Sequence, residues 1–232
     1  MRLEDQKEMR ELPLFAAAHP DHIERLLHSS FLQRFPAHVE LVREGEPADF
    51  LHVVVDGQVE VFSRYRNRET TIAVLTRYDS FILAAVLTDR PYLKSVRALT
   101  SARILMMPAE LVRRTVESDA GFAHALMMEL ARSYRNVVKE LKNQKLRSSL
   151  ERLAAWLIRT DADLGGAGIF ELPYEKRVLA ARIGVAPEVL SRSFASLVQY
   201  QVKVVGKTIT IGDREALAKL ALLSKLIDDQ DA

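Results

Sequence analysis

Between residues 119 and 145 the chain has no proline and a single glycine, Gly121. Phe122, Leu126, Leu130, Ser133, Val137, Leu141 and Gln144 recur there at steps of three and four. That period predicts one helix of about 25 residues, roughly 38 Å long, with a mostly apolar seam and a basic flank. A rod of this length outruns what a small β-domain covers. Part of the seam therefore needs another partner, and a second copy of the same helix is the economical one. The alternative is burial of the seam against the chain's own strands.

Upstream of Pro108 the pattern is that of strands. Residues 50–55 and 58–62 flank Asp56-Gly57, a pair that reads as a two-residue hairpin because a type I′ turn needs positive φ. Val59 and Val61 alternate with polar residues, as in a half-buried strand. Further strands are expected at 71–75, 95–99 and 103–107, after a short helix at 20–29. Several short strands with no long helix between them predict an antiparallel sandwich or barrel.

Downstream of the rod the chain reads as a helix over 149–160 and a Gly-rich loop over 160–168. A short strand follows at 169–172, then two short helices. A hairpin pairs 202–205 with 208–211 around Gly206-Lys207, and a last helix starts at Asp213.

The net charge of +2 conceals an uneven distribution. Residues 132–159 hold eight basic and two acidic side chains, and residues 171–214 hold seven and four. The rest of the chain is acidic, so a polyanion partner is expected for the back half only. A merely solvated helix face gives the same charge pattern. There is no cysteine, which excludes disulfides, cysteine-ligated Fe–S clusters, thiolate haem and a cysteine nucleophile. The charged start, MRLEDQKEMRELPLF, is unlike a secretory signal, and no apolar run approaches a membrane span. A cytoplasmic protein without membrane contact is expected.

Residues 175–199 carry the most information. One helix ends at Ile183-Gly184-Val185, and a second begins at Pro187, tolerated at a first helical position because that N–H has no helical partner. Leu190, Phe194, Leu197 and Val198 make an apolar stripe. Glu188, Ser191, Arg192, Ala195 and Gln199 share the opposite, slim and polar face. Ala180 permits close crossing and Gly184 the left-handed turn, which are the requirements of a helix-turn-helix. The following hairpin, bearing Lys203 and Lys207, adds a wing. In such a unit Arg192 has the fork to read a guanine and Glu188 accepts from a cytosine amine, with Ser191 on a base edge or phosphate. Pro187 and Gln199 bound the same face. The bland alternative is a Glu188–Arg192 surface pair.

The order of sandwich, long helix and winged helix-turn-helix resembles the CRP/FNR superfamily of bacterial transcriptional regulators over nearly the whole chain. Arg43-Glu44-Gly45-Glu46, Val55-Asp56-Gly57-Gln58-Val59 and Val96-Arg97-Ala98 resemble its β-roll signatures. Glu151-Arg152-Leu153-Ala154 and the run from Gly184 to Arg192 resemble its DNA-binding domain. The resemblance implies an α+β fold with three parts. A cyclic-nucleotide-binding-like antiparallel β-roll (a double-stranded β-helix or jelly roll) occupies 1–118, a dimerisation helix 119–147 and a winged helix-turn-helix domain 148–232. It also implies a homodimer on a palindromic DNA operator with TTGA-like half-sites, and RNA polymerase as a partner through the loop at 160–168. Ala186 and Pro187 depart from the family's usual capping residues, which leaves the outermost base open.

Family members that bind cyclic nucleotides carry Gly-Glu after Phe-Ile and Arg-Ser before Val-Arg-Ala. Here Phe81-Ile82 precedes Leu83-Ala84, and Tyr92-Leu93-Lys94-Ser95 precedes Val96. Cyclic AMP and cyclic GMP are therefore not expected: without a bidentate guanidinium, a buried phosphodiester costs several kcal/mol. Phe81, Leu83, Ala84, Tyr92, Leu93, Val137 and Val138 are candidates to line an apolar pocket for an unknown small effector, or to fill a core. No cofactor is expected. Among His19, His22, His28, His38, His52 and His124, haem ligation or a divalent-metal set at His19, His22 and His28 stays a minor alternative. No enzyme motif appears, so the competing reading is a ligand- or metal-sensing module whose DNA binding is lost or secondary.

Overall fold

The computed structural model describes residues 3–66 and 68–229 and divides them into two compact units, 1–133 and 134–232, within the long helix. This cut differs from the three-part division at 118 and 147, because each half of the rod packs with the unit next to it.

In the first unit, α1 (Leu3–Arg10) and α2 (Pro20–His28) lead into β1 (Phe31–Phe35), β2 (Glu40–Val42), β3 (Phe50–Asp56), β4 (Val59–Tyr65) and β5 (Arg68–Leu75). Then come β6 (Ser80–Phe81), α3 (Leu83–Thr88), β7 (Ser95–Ala98), β8 (Ala102–Pro108), α4 (Ala109–Ser118) and α5 (Ala120–Leu146). The strands form two four-stranded antiparallel sheets, ordered β1-β8-β3-β6 and β2-β7-β4-β5. The expected sandwich is present.

The expected hairpin at Asp56-Gly57 is not. Strand β3 pairs with β6 and β8 while β4 pairs with β5 and β7, so the turn carries the chain from one sheet to the other. Gly57 is still required there. Its φ is +83°, and a Cβ would lie 2.4 Å from the Ser101 carbonyl oxygen. A dipeptide suited to positive φ reports the turn, but which strands pair is decided by burial of both sheet faces.

Leu51, Val53, Val59, Val61, Val96 and Leu105 fill the space between the sheets. On the second sheet Glu60 and Phe62, of opposite parity to Val59 and Val61, are almost fully buried, and the Glu60 carboxylate is compensated. Arg97 donates from Nε to Glu60 Oε2 at 2.6 Å and from Nη2 to Glu69 Oε1 at 2.7 Å, and Thr71 donates to Glu60 Oε1. The Arg97 and Arg64 guanidinium carbons stand 4.3 and 4.7 Å from the Phe62 ring centre, covering the ring by cation–π contact.

The start of α5 is pinned by Asp119. Its carboxylate accepts the Phe122 N–H at 2.9 Å, the His19 N–H at 2.8 Å and bonds to His22 Nδ1 at 2.8 Å. The Phe122 N–H, with the other donors, holds the carboxyl at a pKa of about 2. Gly121 lets the helix approach so closely that a Cβ would sit 1.8 Å from the Ala17 carbonyl oxygen. Phe122 and Leu126 lie buried in the first unit's core, which removes them from the exposed seam expected of the rod. The exposed large apolar positions of α5 are Met127, Met128, Tyr134, Val137, Leu141 and Leu146, with Tyr134 71% exposed.

In the second unit, α6 (Ser149–Asp163) is followed by β9 (Ile169–Glu171), α7 (Lys176–Ile183), α8 (Pro187–Leu197), β10 (Val202–Val205), β11 (Thr208–Ile211), α9 (Arg214–Ala221) and α10 (Lys225–Asp228). A capping box starts α6, Ser148 taking the Glu151 N–H and Glu151 the Ser148 N–H. Helix α6 runs three residues past its expected end at 160. Asp161, nearly fully buried, accepts the Gly168 N–H at 2.8 Å and pairs with Arg214, so half of the expected loop is helix and anchor. Leu153, Trp156, Leu179, Leu190, Phe194 and Ile209 belong to this unit's core.

Candidate nucleic-acid interface

Helices α7 and α8 are joined by a turn that Gly184 makes possible. Its φ of +76° lets its own N–H and the Val185 N–H return to the carbonyls of Ala181 and Ala180, closing α7. Pro187 occupies the first turn of α8 and Ala186 caps without a side-chain bond. Leu190, Ser193, Phe194 and Leu197 of α8 face the core. This leaves Pro187, Glu188, Ser191, Arg192 and Ala195 exposed along one face of the helix. Among the described residues no ion pair joins Glu188 to Arg192, so the bland surface-pair alternative lacks its contact. Ser191 Oγ donates to the Pro187 carbonyl at 3.1 Å. Gln199 is also exposed, but it lies in the 3-10 turn after α8 and its amide donates to the Ser196 carbonyl at 3.2 Å.

Strands β10 and β11 pair in the expected register, Val205 opposite Thr208, and β9 adds a third strand. Lys203 and Lys207 are both exposed, with Lys207 in the tip beside Gly206, whose φ is +61°. A shallow cleft of about 230 Å³ between α8 and β10 is lined by Pro187, Leu190, Ser191, Phe194 and Val204, together with Lys176. Lys176 was missed by sequence reasoning. Its signal was a cation at the first position of the first helix of the motif.

The candidate effector residues divide between the two units. Phe81, Leu83 and Tyr92 are buried in the first unit's core, and Phe81 stacks on His52 at 4.9 Å between ring centres. Ala84 and Leu93 are exposed, and Val137 and Val138 belong to the second unit's stretch of α5. Lys94 is half-buried, and burial lowers its pKa.

Among the histidines, His22 is engaged with Asp119 and the His19 ring accepts the Asp21 N–H, while His28 is exposed. Among the described residues no cluster of three or more His, Asp or Glu side chains is arranged to hold a metal. No helix among them is long and apolar enough to cross a membrane.

The chain matches the profile of the cyclic nucleotide-binding domain over residues 32–119 and that of the Crp-like helix-turn-helix domain over 151–220. It is 23% identical over 214 residues to a CRP-like cAMP-activated global transcriptional regulator of Mycobacterium tuberculosis, covering 90% of this chain and 96% of that one. Its fold is similar to that of a Eubacterium rectale protein assigned to the CRP/FNR family of transcriptional regulators. The two share a TM-score of 0.76 and 19% identity over 91% of this chain and 98% of that one. FixK2 of Bradyrhizobium japonicum superposes with a TM-score of 0.72 and 22% identity, covering 84% and 98%. With two sheets of a roll, a long helix and a winged helix-turn-helix in this order, the chain belongs to the CRP/FNR family of transcriptional regulators and carries its DNA-binding domain.

Proposed function

We propose that the chain acts as a homodimer that reads a palindromic operator with half-sites one helical turn apart. The observation that carries this reading is the α8 face on which Glu188, Ser191 and Arg192 stand exposed and unpaired with one another. A carboxylate on a DNA-facing helix is costly beside phosphates unless it meets a base donor, so Glu188 favours sequence reading over simple charge attraction. Lys203 and Lys207 supply backbone contacts from the wing. Met127, Tyr134 and Leu141 are spaced by seven with Val137 between, an exposed heptad stripe suited to a second copy of α5.

Leu83 and Ala84 stand where the family's ribose carboxylate would be, and Lys94 offers one point charge without a fork. Control therefore runs through a molecule other than cyclic AMP. The loop at 164–168 is the surface offered to RNA polymerase, and the protein works in the cytoplasm.

The test is Arg192→Ala measured on a palindrome of TTGA-like half-sites and on a scrambled duplex. Specific affinity falls by about 1–3 kcal/mol while scrambled-duplex binding is unchanged. An equal loss on both duplexes overturns base reading.

A further inference from the structure

Helices α5 and α6 are separated by Arg147 and Ser148 alone, so the angle at which the reading head leaves the rod is set across two residues. Unusually for a joint, its arginine is buried. The Arg147 side chain is 2% exposed, and its guanidinium is held by three residues, one in the rod and two in the segment 222–228. Nη1 donates to Asn143 Oδ1, within the rod, at 3.2 Å. Nη1 and Nη2 donate to the two carboxylate oxygens of Asp228 at 2.8 and 2.6 Å, and Nη2 donates to the Leu222 carbonyl at 2.7 Å. Asp228 Oδ2 also accepts the Ser224 N–H at 2.7 Å, which closes residues 222–228 into a hook around the arginine. Burial alone would push the Asp228 carboxyl up, but Arg147 and the Ser224 N–H hold it below its ordinary range.

The hook connects onward to the recognition motif. The Arg147 carbonyl accepts Arg152 Nη1 at 2.7 Å, and Arg152 Nε donates to the Ile183 carbonyl at 2.8 Å, at the turn before α8. At the same turn, Gln144 of the rod lies so close to Gly184 that a Cβ there would meet Gln144 Oε1 at 2.9 Å. Lys139, two turns back along the rod, donates to the Asp229 carbonyl at 2.6 Å.

We propose that the C-terminal hook, residues 222–228, is a brace that fixes the pitch of the recognition helix on the rod, with Asp228 and Arg147 as positioning residues acting through Arg152. A bidentate pair resists rotation where a single hydrogen bond does not, and buried charges tolerate few alternative arrangements. The brace rests on the homodimer reading, since only a dimer converts the pitch of two heads into a preferred half-site spacing.

The experiment uses the whole 232-residue chain, wild type and Asp228→Asn, on duplexes carrying one TTGA-like half-site or two at spacings varied one base pair at a time. Wild type prefers one spacing. Asp228→Asn loses about tenfold at that spacing and flattens the profile, while single half-site affinity stays within about twofold. Arg147→Lys, which keeps the charge and loses the fork, shifts the profile in the same direction, and it carries the test if Asp228→Asn does not fold. An unchanged spacing profile in a folded variant overturns the brace alone. A wild type that binds two half-sites no better than one overturns the dimer reading and the brace with it.

Discussion

Arg97 and Glu60 meet at 2.6 Å on the second sheet of the roll, and the carboxylate is almost wholly withdrawn from water. The arginine belongs to a Val-Arg-Ala run that resembles a family signature, and here its work is structural. It neutralises Glu60, reaches Glu69 and lies on the face of Phe62.

Removing one partner of a buried pair strands the other. Arg97→Leu is therefore expected to destabilise the first unit by about 3 kcal/mol, visible as a lower urea midpoint, because it strands the Glu60 carboxylate; Glu60→Gln costs less because Arg97 keeps Glu69 as a carboxylate partner. Equal effects from the two substitutions would contradict this account of the pair.

Acid stability should fall in two stages. His52 is buried and its pKa is lowered to about 4 by burial, against an unperturbed 6.5. The unfolded chain binds that proton first, so stability is complete above about pH 6.5 and declines as pH falls toward 4. The carboxyls of Asp119 and Glu69 sit at about 2. Asp119 is held there first by the Phe122 N–H; for Glu69, Arg97 and Arg64 overcome the upward push of burial. Their contributions are present above the ordinary carboxylate range and are lost as pH falls from about 4 to 2. Urea midpoints measured from pH 7 to 2 should show His52→Phe abolishing the first decline and leaving the second.

Gly121 is the residue through which α5 touches the segment before α2. With a would-be Cβ 1.8 Å from a backbone oxygen, Gly121→Ala forces the chain apart and is expected to cost about 1–3 kcal/mol in thermal or urea unfolding. Gly165→Ala, where nothing lies near, costs less and only through its positive φ.

The wing lysines should act on affinity and not on sequence choice. Lys207→Ala weakens binding to all duplexes alike and lowers the salt dependence by about one unit of slope, read from binding at several salt concentrations. A loss confined to the specific duplex would place Lys207 on a base edge.

Much of this was legible from the chain itself. The periods of α5 and α8 and the Gly206-Lys207 turn expose their geometry locally, because one face of each must be apolar or one residue must take positive φ. What stayed hidden depends on distant partners. Asp56-Gly57 marks a turn, yet only the packed roll shows that it changes sheets. Strands β1 and β6 are too exposed or too short to show a period. Phe81 and Tyr92, candidates for a pocket by their apolar character, are spent on the first unit's core. Asp228 and Arg147 lie 81 residues apart and share no local pattern.

The central claim is that two chains present two α8 helices to one duplex. Sedimentation of the purified protein with an excess of a palindromic duplex of TTGA-like half-sites measures this directly. The account predicts two chains per duplex, competed by the same duplex and poorly by a scrambled one. A single chain per duplex at saturation would contradict it.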